Sequence, residues 1–206
     1  MKILGITGGV GSGKSKVLYE LKEKYNAFVV EADKVAHELM EPGKPIYNEI
    51  VAAFGKDILC EEEPYQIDRA ALGFVVFNDK NYLERLNSIT HPAVKLYIKE
   101  LIKDKEDNQS VKLFVIEAAL LIETGYSDIC DEIWYVWVDK EERINRLMES
   151  RGYTREKCLS IFENQQSDDY YKKYANVTIN NQNSFDITSK QLKDLLNKFM
   201  EDDIIS

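Results

Sequence analysis

The residues with the clearest chemical purpose are the glycines, serines and lysine of GITGGVGSGKSK, a stretch near the start of the chain. The phosphate-binding pattern G-x-x-x-x-G-K-[ST] is satisfied there by Gly8, Gly13, Lys14 and Ser15. Glycines let backbone N–H groups curl around phosphate oxygens, because a side chain would obstruct the approach. Lys14 can place its charge on the β- and γ-phosphates, and the Ser15 hydroxyl suits Mg²⁺. The stretch therefore predicts a loop that holds a nucleoside triphosphate.

The sequence lacks the segment that guanine-binding proteins use to recognise the base. A guanine-binding protein is expected to carry an N/T-K-x-D-like segment, and the nearest match, at 78–80, has the order Asn-Asp-Lys. Kinases, GTPases and motor ATPases share the phosphate loop, so this departure favours ATP, with Mg²⁺ as its cation. We predict that ATP contacts Gly8, Gly9, Val10, Gly11, Ser12, Gly13, Lys14, Ser15 and Lys16.

Asp33 is the candidate for acting on a phosphoryl acceptor. It follows the second predicted strand, within VVEADKVAHELM. The carboxyl ends of parallel strands open on one edge of a sheet, where the phosphate loop also lies, so Asp33 can face the γ-phosphate. A carboxylate there can orient an acceptor hydroxyl and take its proton. Asp33 also suits the cap of the following helix, and the two roles do not exclude each other.

The arginines are unevenly distributed, since four of the six lie between positions 143 and 155. One interpretation is a solvated helix face whose arginines form ion pairs with Glu141, Glu142 and Glu149. The other is a binding surface for a small anion. The residue pattern alone leaves both open.

These residues are placed by an alternation of short β-rich runs and helical segments, which predicts an α/β fold with a parallel sheet. The predicted strands are 2–7, 27–31, 112–117, 132–139 and 176–180. Residues 33–111 are helical in pattern, a long insertion typical of a substrate-binding subdomain. Its breaks are predicted at 42–43, 61–64 and 91–92, where Pro92 would suit a first helical turn.

Two further helical segments follow the insertion. Residues 139–165 predict a helical hairpin, with a break at 151–153 and a second helix that Thr154 caps. Residues 184–200 have apolar residues at helical spacing and predict a packing helix.

Composition excludes several functional classes. A net charge of -9 argues against a nucleic-acid binder, because phosphate backbones are bound mainly by clustered Lys and Arg. No run approaches the roughly 18 apolar residues of a membrane span, and Met1 leads straight into a strand pattern, so we expect a cytoplasmic protein without membrane partners. Three scattered cysteines and two histidines predict neither disulfides nor a metal site of their own. We expect a monomer or a weak homo-oligomer.

The chain resembles the dephospho-CoA kinase family over nearly its whole length. Beyond the generic loop, the specific segments are Ala32-Asp33-Lys34-Val35-Ala36, Ile67-Asp68-Arg69, Leu86-Asn87-Ser88-Ile89-Thr90-His91-Pro92, Leu120-Leu121-Ile122-Glu123 and Arg146-Leu147-Met148. The resemblance implies ATP-dependent phosphorylation of the ribose 3′-hydroxyl of dephospho-CoA, the last step of coenzyme A synthesis. It also implies a three-layer α/β/α P-loop NTPase fold.

The resemblance assigns roles by position. It implies that Asp33 is the catalytic base, that Lys14 binds phosphate, and that Arg69 and His91 bind the acceptor. One P-loop kinase domain would comprise a core (1–32, 112–138 and 166–206), an acceptor-binding subdomain (33–111) and a lid (139–165), with Arg146 of the lid on ATP. For Arg69 the alternative is an ion pair at a helix start, and for His91 it is a cap on a helix opened by Pro92.

Several positions depart from the family pattern. Lys16 stands where threonine is usual, and Glu117 replaces the aspartate of Asp-x-Pro, although its carboxylate can still act on Mg²⁺ through water. In the lid, one arginine is displaced to Arg151 and another is Ile161. Two alternatives therefore stay open: a P-loop kinase for another small hydroxylated or nucleotide acceptor, and a non-catalytic ATP-binding regulator.

Overall fold

The computed structural model describes residues 1–201. These residues divide into two compact units, one containing residues 1–30 and 109–201, the other containing Glu31–Asn108. The predicted helical insertion, 33–111, falls mainly on the second unit. No helix within residues 1–201 carries an 18-residue apolar window of the kind that spans a membrane.

A five-stranded parallel sheet forms the centre of the first unit. Its strands are β1 Lys2–Thr7, β2 Phe28–Glu31, β3 Leu113–Glu117, β4 Glu132–Trp137 and β5 Val177–Asn180, in the order β2-β3-β1-β4-β5. β1 lies between β3 and β4, with Ile6 opposite both Glu117 and Trp134. The predicted strands and their parallel arrangement are confirmed, with ends shifted by one or two residues.

Both faces of this sheet are buried, as expected for parallel strands. On one face, alternate strand residues such as Leu4 and Val115 pack with residues of two helices, α1 (Lys14–Tyr25) and α9 (Phe185–Glu201). On the other face, the Tyr135 ring stacks on Tyr171 with centroids 4.9 Å apart. Tyr171 belongs to a short helix, Asp168–Tyr174. The core thus fixes the carboxyl ends of the strands, where the phosphate loop begins.

A helical hairpin follows β4. Its helices are Lys140–Arg151 and Arg155–Glu163. The first ends at Gly152, whose left-handed φ of 62° suits glycine at a helix end. The second is capped by Thr154, whose hydroxyl accepts a hydrogen bond from the Lys157 N–H at 3.3 Å. The predicted break and the predicted cap are both confirmed.

The second unit is built from helices Ala32–Leu39, Tyr47–Phe54, Arg69–Asn78 and Lys80–Asp107. Asp68 caps the third of these helices by accepting hydrogen bonds from the Ala70 and Ala71 N–H groups at 2.8 and 3.2 Å. The breaks predicted at 42–43 and 61–64 lie in turns, as expected.

The break predicted at His91-Pro92 is wrong, because Pro92 lies inside the 28-residue helix Lys80–Asp107. Proline normally costs about 3 kcal/mol in a helix interior. This helix buries Thr90, Val94, Ile98 and Ile102, which recur every four residues and span the proline. Continuous burial along one face therefore outweighs the local preference to stop.

The α-helices of residues 1–201 are numbered in chain order. They are α1 Lys14–Tyr25, α2 Ala32–Leu39, α3 Tyr47–Phe54, α4 Arg69–Asn78, α5 Lys80–Asp107, α6 Lys140–Arg151, α7 Arg155–Glu163, α8 Asp168–Tyr174 and α9 Phe185–Glu201.

Candidate active site

The predicted phosphate loop connects β1 to α1. Gly13 precedes α1 with a left-handed φ of 87°, and Gly8 has φ 151°. A Cβ on Gly8 would lie 2.6 Å from the Val136 carbonyl oxygen, and one on Gly13 would collide with the Asn181 amide nitrogen. The two glycines that the phosphate-binding pattern requires therefore stand where Val136 and Asn181 leave no room for a side chain. The start of α1 adds backbone N–H groups and the positive end of the helix dipole.

Lys14 lies folded over the loop that it follows. Its Nζ donates a hydrogen bond to the Gly8 carbonyl oxygen at 2.6 Å and lies 3.6 Å from Glu117 Oε1. Glu117 is the last residue of β3 and is 9% exposed. The adjacency of β1 and β3 thus brings a cation and a carboxylate together beside the phosphate loop.

Ser15 and Lys16 occupy the exposed first turn of α1. The Lys16 ammonium lies 4.3 Å from the centroid of the Phe185 ring, a cation–π contact with α9. Lys16, which stands where the family usually has threonine, therefore packs on α9.

The oxygen donors of this site fit Mg²⁺ better than a softer metal. The Ser15 hydroxyl and the Glu117 carboxylate are hard oxygen ligands, which Mg²⁺ prefers. Within residues 1–201 no group of three or more His, Cys, Asp or Glu side chains is placed to hold a metal ion. This donor set suits a cation that is held by one or two protein oxygens together with substrate phosphates and water.

Arg143, one of the clustered arginines, is buried against the loop. Its Nε–H donates to the Val10 carbonyl oxygen at 2.9 Å and its Nη2 donates to Gln165 Oε1 at 2.6 Å. Burial lowers its pKa, while Tyr135 and Asp168 nearby act in the opposite direction. Sequence reasoning singled out neither Arg143 nor Gln165. The available signal was that Arg143 falls four residues before Leu147, on the apolar stripe of α6.

Asn181 is a second residue that sequence reasoning missed. Its Nδ2 donates to the Ser12 carbonyl oxygen at 2.8 Å, and its Oδ1 accepts from the Thr188 hydroxyl at 2.8 Å. Asn181 is 4% exposed and follows β5 directly. It joins the end of that strand to the second half of the phosphate loop.

Two of the three other clustered arginines, Arg155 and Arg146, are ion-paired. Arg155 binds Glu141 through two hydrogen bonds of 2.8 and 2.7 Å at the surface. Arg146 binds Glu142 at 2.9 Å and donates to the Asn181 carbonyl oxygen at 3.0 Å. A Cβ placed on Gly13 would lie 3.7 Å from Arg146 Nη1, so this guanidinium is close to the loop. The ion-pair interpretation is correct for Arg155, whereas Arg146 combines an ion pair with a position beside the loop.

The second unit holds the predicted acceptor residues. Asp33 is exposed in the first turn of α2, and the residue in the cap position is Glu31, which makes no side-chain cap. The alternative role of Asp33 as helix cap is therefore wrong. Arg69 opens α4 and forms no ion pair among residues 1–201, which removes the ion-pair alternative for it.

Arg69 borders a cavity of about 170 Å³ within this unit. The cavity is lined by His37, Met40, Glu41, Gln66, Ile67 and Arg69. Burial, together with the Arg69 charge, lowers the pKa of His37, while the Asp33 carboxylate acts in the opposite direction. The cavity thus offers a guanidinium and a neutral imidazole to an anionic or polar ligand.

His91 lies in the interior of α5, half-buried. Burial lowers its pKa, and the Asp33 carboxylate opposes that shift. Because no helix begins at Pro92, the alternative role of His91 as a helix cap is wrong. The Asp33 carboxylate therefore acts electrostatically on both histidines, and the Arg69 charge acts on His37.

The chain is similar to known proteins over nearly its whole length. The sequence model of the dephospho-CoA kinase family matches residues 2–186. A dephospho-CoA kinase from Carboxydothermus hydrogenoformans is 38% identical over 199 residues, covering 97% of this chain and 95% of that protein. The solved structure of a dephospho-CoA kinase from Campylobacter jejuni is 25% identical, with a TM-score of 0.71, and covers 98% of this chain and 100% of its own.

A crystal structure of a Thermus thermophilus protein is also similar, with 28% identity and a TM-score of 0.78, covering 96% of this chain and 97% of that one. The matches therefore extend over the whole length of the fold rather than the phosphate loop alone. From the family model, the full-length relatives and the shared architecture, we conclude that this chain belongs to the dephospho-CoA kinase family.

Proposed function

We propose that this chain transfers the γ-phosphoryl group of ATP to the ribose 3′-hydroxyl of dephospho-CoA. Its family consists of ATP-dependent kinases of coenzyme A biosynthesis. The products are coenzyme A and ADP. The observation that carries the proposal is the phosphate loop itself. Lys14 contacts the Gly8 carbonyl oxygen, and neither Gly8 nor Gly13 has room for a side chain. That arrangement binds phosphates, and family membership identifies the acceptor.

The phosphates of ATP would lie along the loop of residues 8–13, against its backbone N–H groups and those at the start of α1. Lys14 would exchange its contact with the Gly8 carbonyl oxygen for the β- and γ-phosphate oxygens, which carry more negative charge. Arg146 would add a second positive charge, since its Nη1 lies near Gly13. We propose that residues 139–165 act as the lid, which excludes water from the transferring group.

Mg²⁺ would be held by the Ser15 hydroxyl, with the Glu117 carboxylate acting through water. Bound there, it would neutralise charge on the β- and γ-phosphate oxygens. Glu117 would also keep Lys14 at the loop while the site is empty of nucleotide, since their charged atoms are 3.6 Å apart.

On the acceptor side, Asp33 would accept the proton of the ribose 3′-hydroxyl as its oxygen forms a bond to the γ-phosphorus. The bond from that phosphorus to the oxygen bridging to the β-phosphate breaks, and its electron pair leaves with ADP. Arg69 would hold the diphosphate of dephospho-CoA, since its planar fork can bind two oxygens and no protein carboxylate within residues 1–201 occupies it. We propose that His91 contributes to the same acceptor site.

We also propose that the protein works in the cytoplasm as a monomer or weak homo-oligomer, without nucleic-acid or membrane partners. Its net charge of -9 supports the absence of a nucleic-acid partner.

Replacement of the proposed base provides a direct test. Asp33→Asn should lower kcat by about 10²–10⁴-fold while the dissociation constant for ATP stays within about twofold, because the change removes proton transfer and leaves the loop intact. Glu38→Gln is the matched control, since Glu38 is an exposed carboxylate on the same helix. Wild-type turnover by Asp33→Asn in a steady-state assay would show that the base is another residue.

The reaction itself is tested by mass spectrometry of dephospho-CoA incubated with ATP, Mg²⁺ and the protein. We expect one added phosphoryl group, located on the ribose. AMP, shikimate and gluconate serve as parallel acceptors, and phosphorylation of one of them in place of dephospho-CoA would overturn the proposal.

A further inference from the structure

Arg143 is buried, and within residues 1–201 its hydrogen bonds go to a backbone carbonyl and an amide rather than to a carboxylate. It is 8% exposed, and it packs on the Phe162 ring, which borders the small hydrophobic cluster of Ile144, Leu147 and Cys158. Val10 packs against the same cluster. Among residues 1–201 Arg143 forms no ion pair with a carboxylate. A buried charge is costly unless its hydrogen-bonding groups are satisfied, so the identity of its partners is informative.

Those partners surround one residue of the phosphate loop. Arg143 Nε–H donates to the Val10 carbonyl oxygen at 2.9 Å, and the Val10 N–H donates to Gln165 Oε1 at 3.3 Å. The same Gln165 oxygen accepts from Arg143 Nη2 at 2.6 Å, which closes a ring of three hydrogen bonds. Both polar groups of the Val10 backbone are therefore bound by the two side chains.

The position of the guanidinium is itself fixed. It lies 4.1 Å from the centroid of the Phe162 ring on α7, and a Cβ on Gly9 would overlap it. Gly9 and Gly11 flank Val10, and glycines have the widest choice of backbone conformations. The three hydrogen bonds thus restrain the most flexible part of the loop.

We infer that Arg143 and Gln165 are positioning residues that hold the phosphate loop in its ATP-binding conformation before the nucleotide arrives. The inference rests on the proposed function, since it concerns the ATP site of that reaction. A loop that is already ordered loses less conformational freedom when it binds, which increases its affinity. Because Arg143 lies in α6 and Gln165 follows α7, the same contacts anchor the base of the hairpin to the loop.

Gln165→Leu tests the inference, because leucine is similar in size but lacks the shared acceptor oxygen. We expect the dissociation constant for ATP, measured by calorimetry, to rise about tenfold, the size expected from losing one or two hydrogen bonds. The KM for dephospho-CoA should stay close to wild type, while the melting temperature of the unliganded protein should fall by a few degrees, because the buried Arg143 loses one hydrogen-bond acceptor. Gln166→Leu is the matched control, since Gln166 is the adjacent glutamine and is exposed.

The variant Arg143→Met, alone and combined with Gln165→Leu, tests whether Arg143 and Gln165 restrain the loop as one unit. If they form one unit, the double variant should bind ATP within about twofold of the weaker single variant, since coupled contacts are not additive. Wild-type ATP affinity in Gln165→Leu would overturn the inference. Equal losses of affinity for ATP and for dephospho-CoA in Gln165→Leu would also overturn it, because they indicate a purely structural role. Absence of any kinase product from the wild type, with ATP affinity still lost in Gln165→Leu, would reject the proposed function and leave the positioning role supported.

Discussion

At the scale of single residues, the phosphate loop is defined as much by its surroundings as by its own sequence. Gly8 and Gly13 were predictable because the reason for glycine is local: backbone groups must approach phosphate. The contact of Asn181 with Ser12 joins residues 169 positions apart, and that of Arg143 with Val10 joins residues 133 apart. No pattern within the loop encodes such contacts, so they appear only when the strands and the hairpin are in place.

Gly9 has no room for a side chain beside the Arg143 guanidinium. Gly9→Ala should lower the affinity for ATP and the free energy of unfolding, the latter by about 1–3 kcal/mol, because the new methyl group displaces the Arg143 guanidinium. Calorimetric titration with ATP and urea denaturation measure the two effects.

Gly73→Ala is the comparison, since Gly73 lies in α4 with nothing within 4 Å of the added methyl group. There the same substitution should raise stability by about 0.5–1 kcal/mol, because alanine loses less conformational entropy in a helix. Equal effects at the two positions would mean that Gly9 is not sterically restricted.

At the scale of elements, the strands were predictable because each is a short β-rich run bounded by turns, and the hairpin because Gly152 and Thr154 mark its break. The continuity of α5 was not predictable from local preferences. The sequence around His91-Pro92 favours a boundary, and the competing signal, burial of Val94, Ile98 and Ile102 along one face, depends on tertiary packing.

Pro92→Ala tests this account of α5. Pro92 is exposed, so the substitution removes little packing, and alanine restores a hydrogen-bond donor to the carbonyl of Ser88. We expect the free energy of unfolding to rise by about 1–3 kcal/mol in urea denaturation. Lys99→Ala, at another exposed position of α5, should change it by less than about 0.5 kcal/mol. A loss of stability in Pro92→Ala would show that the helix requires the proline geometry.

At the scale of the whole molecule, acid should destabilise the protein partly through its only two histidines. Burial lowers the pKa of His37 and of His91 below the ordinary value of 6.5. As the pH falls below that value, the unfolded chain takes up protons that the folded chain does not, so the free energy of unfolding decreases. The stability that depends on neutral imidazoles is complete above pH 6.5 and is lost as the pH falls through the two lowered pKa values.

The double variant His37→Gln/His91→Gln should therefore show a shallower decline in stability between about pH 7 and pH 5 than the wild type, measured by urea denaturation at each pH. The remaining decline comes from carboxylates, which both proteins share. Parallel curves for the two proteins would show that neither imidazole is kept neutral by folding.

The strand order also has a consequence for how the protein is made. β1, which is synthesised before the other four strands, lies in the middle of the sheet, and its two neighbours begin only at Leu113 and Glu132. At roughly 5–20 residues per second, the first strand and the phosphate loop after it wait on the order of ten seconds for their partners. All of Glu31–Asn108 is synthesised during that interval. The nascent chain must therefore keep its first strand from pairing wrongly until β3 and β4 have been synthesised.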